Sequence, residues 1–317
     1  MTEKQKVIQA QLTLRAVVWD IPDREDVIAD KLRQEMECFQ VSSISVAECE
    51  EDENLVDGYR KKYQTALKFL QGSKILEKEA LLVTQDAGMA EYICRLGEER
   101  TENGMAVIFY ECTQEQTDVP ADMVVLGFED LGVQFLDRVQ KRKNHLPWNI
   151  LYTERTCVRE VTPEDLDELY AIYEGEGITD FTEPLFERSK EEEYTRSYIQ
   201  YMYYYYGYGM WVVQDRESGK LLGRAGIEHR KTQEGTVMEL GYMIRAEEQG
   251  KGYATEVCQA ILAYAQQELE MDELHCFIHP NNRISIHLAI KLGFALYRHA
   301  DASQDGLLDF RKCIHIS

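Results

Sequence analysis

The hydrophobic positions of the first half of the chain fall into short runs separated by amphipathic stretches. The runs are rich in apolar and β-branched residues, as in buried strands, and lie at 12–19, 41–46, 80–84, 105–110 and 123–126. Between and after them, apolar residues recur at helical spacing over 24–36, 55–70, 87–96 and 133–143. Strands that alternate with helices in this way predict an α/β domain with a doubly wound, mostly parallel sheet.

The second half shows the same two periodicities in a different order. Strands are predicted at 156–161, 209–214, 221–229, from 236 onward, at 275–279 and at 307–314. Helical spacing covers 166–173, 189–206 and 254–269. The segment Thr162-Pro-Glu-Asp165 is a typical helix start, with threonine as the N-cap and proline in the first turn.

A proline at position 147 separates the two halves. It cannot continue the basic helix predicted over 133–143, and a length of 317 residues favours two domains. We therefore predict one domain over residues 1–147 and a second over residues 148–317.

Composition limits the partners and the compartment. The formal net charge of −22 disfavours nucleic-acid binding, which needs clustered Lys and Arg. It either serves solubility alone or attracts a cationic acceptor. No apolar run approaches the ~18 residues of a membrane span. The N-terminus lacks the apolar core of a signal peptide, so we expect a cytoplasmic protein with no membrane partner. The eight cysteines form no CxxC pair, so reduced thiols and no metal site are expected.

Two glycines, Gly250 and Gly252, lie between the strand that starts at 236 and the helix predicted over 254–269. A strand, a glycine turn and a helix start together form an anion site, because the first N–H groups of a helix are unpaired and its dipole is positive there. The spacing is neither GxxxxGK[ST] nor GxGxxG. It reads Q-x-x-G-x-A over Gln249-Gly-Lys-Gly-Tyr-Ala254.

This turn resembles the acetyl-CoA pyrophosphate motif of the GNAT superfamily of N-acetyltransferases. A second segment of that family, N-x-x-S/A-x-x-L-x-x-x-x-G-F, is matched by Asn282, Ser285, Leu288, Gly293 and Phe294. The resemblance spans about residues 152–317 and implies a mixed-sheet α/β fold. The order Trp-Val-Val, polar turn, Leu-Leu-Gly and then Glu-Leu-Gly-Tyr is similar to the branch of ribosomal-protein N-terminal acetyltransferases.

The resemblance implies acetyl-CoA as co-substrate and direct transfer of the acetyl group to a primary amine in a ternary complex. The amine belongs to a small molecule or a protein N-terminus. The fourth and fifth strands are expected to splay, so that the pantetheine arm inserts between them. The residues expected to contact the cofactor are Met243, Ile244, Gln249, Gly250, Lys251, Gly252, Tyr253, Ala254, Thr255, Asn282 and Ser285.

Glu239 is the candidate general base, since it matches the glutamate of the family's Glu-x-Gly-Tyr strand. Glu228 and His229, at the end of the preceding strand, compete for this role, and a purely structural carboxylate is the alternative. A carboxyl in a partly desolvated cleft can have its pKa raised toward neutrality. Many family members place a general-acid tyrosine where this chain has Ala289. Either Ser285 or water takes the acid role here, or the thiolate leaves unprotonated.

Tyrosines recur along the helix predicted over 189–206. At helical spacing, one face carries Tyr194, Tyr198, Tyr201 and Tyr205, which predicts core and interface packing. The sharper interpretation is that tyrosines off this face line the acceptor pocket, namely Tyr203, Tyr204, Tyr206 or Tyr208.

The first half resembles a small haloacid-dehalogenase-like or flavodoxin-like domain in its strand order and acidic turns. A phosphatase of the former kind needs a second aspartate two residues after Asp20, where this chain has Pro22. Asp86 is either a remnant of a metal site or a helix cap. We therefore expect a degenerate scaffold or partner-binding domain. A non-catalytic acyl-CoA sensor is the alternative for the whole chain, and a phosphatase in residues 1–147 is a third hypothesis.

Overall fold

The computed structural model describes residues 3–22, 28, 30–48, 54–98, 104–112, 118–129, 131–299 and 306–314. The chain divides into two compact units, Met1–Leu146 and Pro147–Ser317. Within the described residues, no helix combines the length and the apolar character needed to cross a bilayer.

The first unit alternates helices and strands along the chain. Its strands are β1 (Ala16–Asp20), β2 (Ser42–Ser45), β3 (Ala80–Thr84), β4 (Ala106–Tyr110) and β5 (Met123–Val125). Its α-helices in the described part are α1 (Glu3–Gln11), α2 (Asp30–Cys38), α3 (Leu55–Gly72), α4 (Ala87–Glu98) and α5 (Val133–Lys143). The start of the helix predicted over 24–36 lies outside the described residues. Helix α1 was not predicted, because its sequence EKQKVIQAQ carries no clear apolar stripe.

The five strands form one parallel sheet in the order β2-β1-β3-β4-β5. Successive side chains point to opposite faces. On one face, Val17 and Trp19 pack with residues of α2 and α5, including Leu32 and Leu136. On the other face, Val18 packs with residues of α3 and α4. Helices on both faces explain why these strands read as continuous apolar runs, and the predicted parallel sheet is confirmed. The haloacid-dehalogenase-like or flavodoxin-like resemblance stays a prediction.

The second unit contains eight strands. They are β6 (Asn149–Tyr152), β7 (Thr156–Arg159), β8 (Met210–Asp215), β9 (Leu221–Thr232), β10 (Gly235–Ile244), β11 (Glu273–Ile278), β12 (Ala295–Arg298) and β13 (Leu308–Cys313). The α-helices described here are α6 (Leu166–Tyr173), α7 (Arg188–Tyr198), α8 (Tyr253–Gln267) and α9 (Arg283–Lys291). Strands β6 and β12 were not predicted, because four residues each give too short a pattern.

The eight strands form one mixed sheet in the order β12-β13-β11-β10-β9-β8-β7-β6. Every neighbouring pair is antiparallel except β10 and β11, which are parallel. A single core holds the sheet and its helices together, with Trp211 of β8, Ile261 of α8 and Ala289 of α9 all fully buried. The mixed α/β sheet expected for this half is confirmed.

The tyrosine-rich helix changes its hydrogen-bonding pattern partway. After α7 the chain continues as a π-helix over Ile199–Tyr206, in which hydrogen bonds span five residues. The step between buried tyrosines becomes five as well: Tyr198 and Tyr203 are 8% and 1% exposed, whereas Tyr201 and Tyr205 are 68% and 80% exposed. The prediction of one packed tyrosine face is therefore wrong except at Tyr198: it assumed α-helical spacing for Tyr201 and Tyr205, and Tyr194, within α7, is also 47% exposed.

Candidate active site

The turn between β10 and α8 presents a row of main-chain N–H groups. A short 3₁₀ turn, Ala246–Glu248, follows β10, and α8 begins at Tyr253. In the described part of the chain, no acceptor bonds to the N–H groups of residues 250–255, and the first bond of α8 joins the Glu256 N–H to the Gly252 carbonyl at 3.1 Å. Unpaired donors at the positive end of a helix dipole are the features of an anion site.

Two glycines shape this turn. Gly250 and Gly252 have φ values of +73° and +87°, which only glycine adopts without strain. Both residues are exposed, and a Cβ at Gly250 would meet no atom within 4 Å. The glycines are therefore required by the backbone conformation, and their exposure leaves the neighbouring N–H groups accessible.

Gln249 stabilises the turn through two hydrogen bonds. Its main-chain N–H donates to the Ala246 carbonyl at 3.2 Å. Its side-chain Nε2 donates to the Ile244 carbonyl at 2.9 Å. Of the amides predicted to bind the cofactor, the Gln249 amide is thus already bonded, and its side chain fixes the turn to the end of β10.

A gap opens between β10 and β11. Over these two fully described strands the parallel register consists of one pair, Glu239 opposite His275. The Arg245 N–H donates to the Leu222 carbonyl at 2.8 Å, so Arg245 and, two residues before it, Met243 turn their main-chain groups toward β9. The main-chain groups of Tyr242 and Ile244 therefore face the β11 side, where the register has ended.

Glu239, the candidate base, lies at the last paired position before the gap. Its carboxylate accepts a hydrogen bond from Arg230 Nη1 at 3.0 Å. Burial raises the pKa of the Glu239 carboxyl, and the negative charge of Glu228 raises it further. The positive charge of Arg230 lowers this pKa, but only enough to offset part of the rise.

The two competing candidates have different surroundings. Glu228 lies directly opposite Glu239 on β9, and its Oε1 accepts a hydrogen bond from the Tyr198 hydroxyl at 2.5 Å. His229 points to the other face of the sheet, where its Nε2 lies 2.9 Å from the Tyr208 hydroxyl. His229 is therefore separated from the two carboxylates by the sheet itself.

The second family segment, which begins at Asn282, contains helix α9 and the residues at both of its ends. The Asn282 side chain caps this helix by accepting a hydrogen bond from the Ser285 N–H at 3.1 Å. Gly293 has a φ of +87° just after the helix, as expected of a residue that ends it. Ala289 is fully buried and carries no group that could transfer a proton.

Two residues near the site were missed from the sequence. The Tyr242 hydroxyl donates to the Ser285 carbonyl at 3.1 Å and so ties β10 to α9, and burial raises its pKa. Arg155, in the turn between β6 and β7, donates from Nη1 to the Lys251 carbonyl at 3.0 Å. Tyr242 belongs to the Glu-Leu-Gly-Tyr strand pattern, but a single arginine 96 residues from Lys251 gives no local signal.

Asp20 and Asp86, the two aspartates of interest in the first unit, both accept hydrogen bonds from protein groups. Asp20, 2% exposed, accepts hydrogen bonds from Lys62 Nζ at 2.7 Å and from the Thr84 hydroxyl at 2.9 Å. Asp86 Oδ1 accepts from the N–H groups of Gly88 and Met89. Asp86 is therefore the cap of α4, which corresponds to the helix-cap interpretation of this residue.

The described part of the chain contains seven cysteines, and all are free thiols. Burial raises the pKa of the thiols of Cys258 and Cys276. In the same part of the chain, no group of three or more His, Cys, Asp or Glu side chains is placed to hold a metal ion.

Comparison with known families agrees with this geometry. Residues 155–295 match the family described as an acetyltransferase (GNAT) domain. Residues 155–295 therefore form a GNAT acetyltransferase domain, as the resemblance of the second half implied. The ribosomal-protein branch stays a prediction.

Individual relatives share parts of the chain. The uncharacterized protein YkkB of Bacillus subtilis is 38% identical over 88 residues, 28% of this chain, so the match spans about half (51%) of YkkB. The uncharacterized N-acetyltransferase YoaA of the same organism is 27% identical over 46% of this chain and 82% of its own length. Among solved structures, the spermidine N-acetyltransferase of Vibrio cholerae in complex with CoA and spermine is 19% identical over 50% of this chain and 95% of its own, with a TM-score of 0.42.

Proposed function

We propose that this protein transfers an acetyl group from acetyl-CoA to a primary amine by direct attack in a ternary complex. One observation carries the proposal: six consecutive N–H groups, those of residues 250–255, lie without protein acceptors in the described chain. They lie at the end of a strand whose pairing with β11 has already ended. A diphosphate and an extended arm fit such a turn and such a gap, because the turn supplies donors and the gap supplies unpaired strand edges.

The glycine turn and strand β10 bind different parts of acetyl-CoA. The N–H groups of residues 250–255 hold the diphosphate, with Gly250 and Gly252 allowing close approach. The main-chain groups of Tyr242 pair with the pantetheine arm, whereas those of Met243 bond to β9 and the Ile244 carbonyl already accepts from Gln249 Nε2. Acetyl-CoA, the co-substrate that the GNAT domain implies, supplies an acetyl thioester. Holding both reactants in line for attack is itself worth several kcal/mol of the barrier, roughly 7 or more in well-oriented systems.

Glu239 accepts a proton from the substrate ammonium group, directly or through a water molecule, and so frees the neutral amine to attack the thioester carbonyl. Its raised pKa suits this role, since a general base is most effective when its pKa approaches the working pH. Arg230 fixes the carboxylate in place. The Ile244 N–H faces the gap and donates to the developing thioester oxyanion.

The departing thiolate has no acid at position 289, because Ala289 is buried and apolar. The Ser285 hydroxyl or water takes this role in the proposal. Asn282 acts mainly by capping α9, since its Oδ1 is bonded to the Ser285 N–H, while its amide nitrogen has no bonding partner in the described part of the chain.

The acceptor approaches along the face of the sheet that carries Glu228 and Glu239. A cleft with about 520 Å³ of empty space, open solvent included, adjoins this face and is lined by residues that include Arg230, His275 and Phe277. Two carboxylates and a chain of net charge −22 favour a cationic amine, on a small molecule or a protein N-terminus. A cytoplasmic location, a scaffold or partner-binding role for residues 1–147, and the absence of metal, nucleic-acid and membrane partners stay part of the proposal.

The test is turnover of acetyl-CoA by the full chain. Thiol release is measured with acetyl-CoA and a panel of amines and peptides with free N-termini, and the product is identified by intact mass. We expect amine-dependent thiol release with an added mass of one acetyl group. Acetyl-CoA binding without turnover on any amine would instead support a non-catalytic acyl-CoA sensor, an alternative that the GNAT match does not favour.

A further inference from the structure

Arg155 contacts both sides of the glycine turn. Its Nη1 donates to the Lys251 carbonyl at 3.0 Å, inside the turn. Its Nε and its main-chain N–H donate to the two oxygens of Glu256, in the first turn of α8, at 2.7 and 3.0 Å. The guanidinium also lies 4.2 Å from the ring centroid of Tyr253. One side chain from a distant hairpin thus joins the carbonyl before Gly252 to the start of the helix after it.

The charge of Arg155 is largely compensated. Burial disfavours ionisation of Glu256, yet hydrogen bonds from Thr153 and from the main chain and side chain of Arg155 outweigh it and lower the pKa of this carboxyl. Glu256 is therefore ionised at neutral pH, and its Oε2 lies 2.6 Å from Arg155 Nη2. Because the pair is close to neutral, the main effect of Arg155 on a nearby anion is geometric.

The geometric effect follows from the planarity of the peptide bond. In a trans peptide the C=O and the following N–H point in opposite directions. The Lys251 carbonyl points at Arg155, so the N–H of Gly252, one of the six without a protein acceptor in the described chain, points away from Arg155. Gly252, with its φ of +87°, is free to rotate into other conformations when this carbonyl is released.

We propose that Arg155 is a positioning residue for the diphosphate of acetyl-CoA, acting through the Lys251 carbonyl to aim the Gly252 N–H at a phosphate oxygen. The inference rests on the proposed function, since it assigns a part to Arg155 in the same site. Glu256 holds the guanidinium in place. A lysine at 155 cannot satisfy the carbonyl and the carboxylate together, because an ammonium lacks the planar fork of donors.

Arg216, in the turn between β8 and β9, provides a matched control because it contacts the same β6–β7 hairpin. Its Nη1 donates to the main-chain carbonyl of Thr153 at 2.9 Å, and its guanidinium lies 5.5 Å from the ring centroid of Tyr152. It therefore resembles Arg155 in stacking on a tyrosine and bonding a carbonyl, but these contacts lie on the hairpin and not on the glycine turn. A loss of hairpin stability alone would affect both variants.

The experiment compares Arg155→Gln, Arg155→Lys and Arg216→Gln in the full chain. Steady-state kinetics are measured with acetyl-CoA and with acetyl-pantetheine, which lacks the diphosphate. Both Arg155 variants should raise KM for acetyl-CoA about tenfold or more, the worth of one hydrogen bond to a charged group. They should leave kcat/KM for acetyl-pantetheine within twofold of wild type, and Arg216→Gln should leave both substrates unaffected.

A double-mutant cycle adds a second readout. Glu256→Gln should raise KM for acetyl-CoA in the same direction, and combining it with Arg155→Gln should add little, because the two residues act as one unit. Equal KM values for acetyl-CoA in wild type and Arg155→Gln would overturn the inference while leaving the proposed function intact. Absence of acetyl-CoA turnover and binding in the wild type would instead overturn the proposed function itself.

Discussion

Glu228 and Glu239 are direct cross-strand neighbours on one face of the sheet, yet each is bound by a different donor. Glu228 accepts from the Tyr198 hydroxyl at 2.5 Å, and Glu239 accepts from Arg230 at 3.0 Å. Opposite residues of an antiparallel pair lie close enough for like charges to repel. The pair therefore places two carboxylates of unequal environment next to the gap between β10 and β11.

The variant Glu239→Gln tests which of the two is the base. It removes proton acceptance while keeping the shape of the side chain, so kcat should fall roughly hundredfold or more. The KM for acetyl-CoA should stay unchanged, because the glycine turn is unaltered. Glu228→Gln is the matched control, and a larger loss in that variant than in Glu239→Gln would reverse the assignment.

The acid side of the pH–rate profile should respond to Arg230. A base works only when deprotonated, so activity falls as pH drops through the raised pKa of Glu239. Arg230 lowers that pKa, hence Arg230→Gln should move the acid limb of kcat/KM to higher pH. The neighbouring exposed residue gives the control, Lys231→Gln, whose profile should match the wild type. An unmoved limb in Arg230→Gln would mean that another group sets it.

The buried hydroxyl of Tyr198 should matter for stability. It donates to Glu228 and accepts from the Met210 N–H at 2.6 Å. Tyr198→Phe leaves both partners without this bond and should lower the free energy of unfolding by about 1–3 kcal/mol. Urea unfolding gives the value, and Tyr201→Phe, at a 68% exposed position, should change it by less than about 0.5 kcal/mol.

In the first unit, the pair of Asp20 and Lys62 should be structural. Asp20→Ala leaves a largely buried ammonium without this carboxylate, which should lower the stability by about 3–5 kcal/mol. Asp57→Ala breaks the exposed pair with Arg60 and should cost less than about 1 kcal/mol. Similar unfolding midpoints for the two variants would contradict this account. Magnesium-dependent phosphate release by the wild-type protein would support the phosphatase hypothesis for residues 1–147.

Several elements of the fold were predictable because their patterns are local. The bounds of β3 and α5 agree with the sequence pattern, since β3 is a continuous apolar run and α5 keeps a regular stripe. The π-helix was not predicted, because nothing in a run of tyrosines shows that the hydrogen bonding will widen after Tyr198.

The candidate site was likewise predictable only where the sequence signal is local. The glycine turn was found because Gly250 and Gly252 are required by their own backbone angles. Arg155 was missed because its role depends on a contact formed only when the β6–β7 turn folds against α8. The sequence also could not predict which main-chain groups of β10 face β11, because this depends on the register between β10 and β9.

The central claim is that the N–H groups of residues 250–255 bind the diphosphate of CoA. Isothermal titration of CoA into the wild type, Gly252→Glu and Gly219→Glu tests it directly. Gly219 also has a positive φ, +74°, and lies in an exposed turn, so both variants carry similar backbone strain. We expect binding to the wild type and to Gly219→Glu, with at least about hundredfold weaker binding to Gly252→Glu because this variant adds a negative charge to the turn itself. Equal CoA affinity in Gly252→Glu and the wild type, or no binding to the wild type at millimolar CoA, would contradict it.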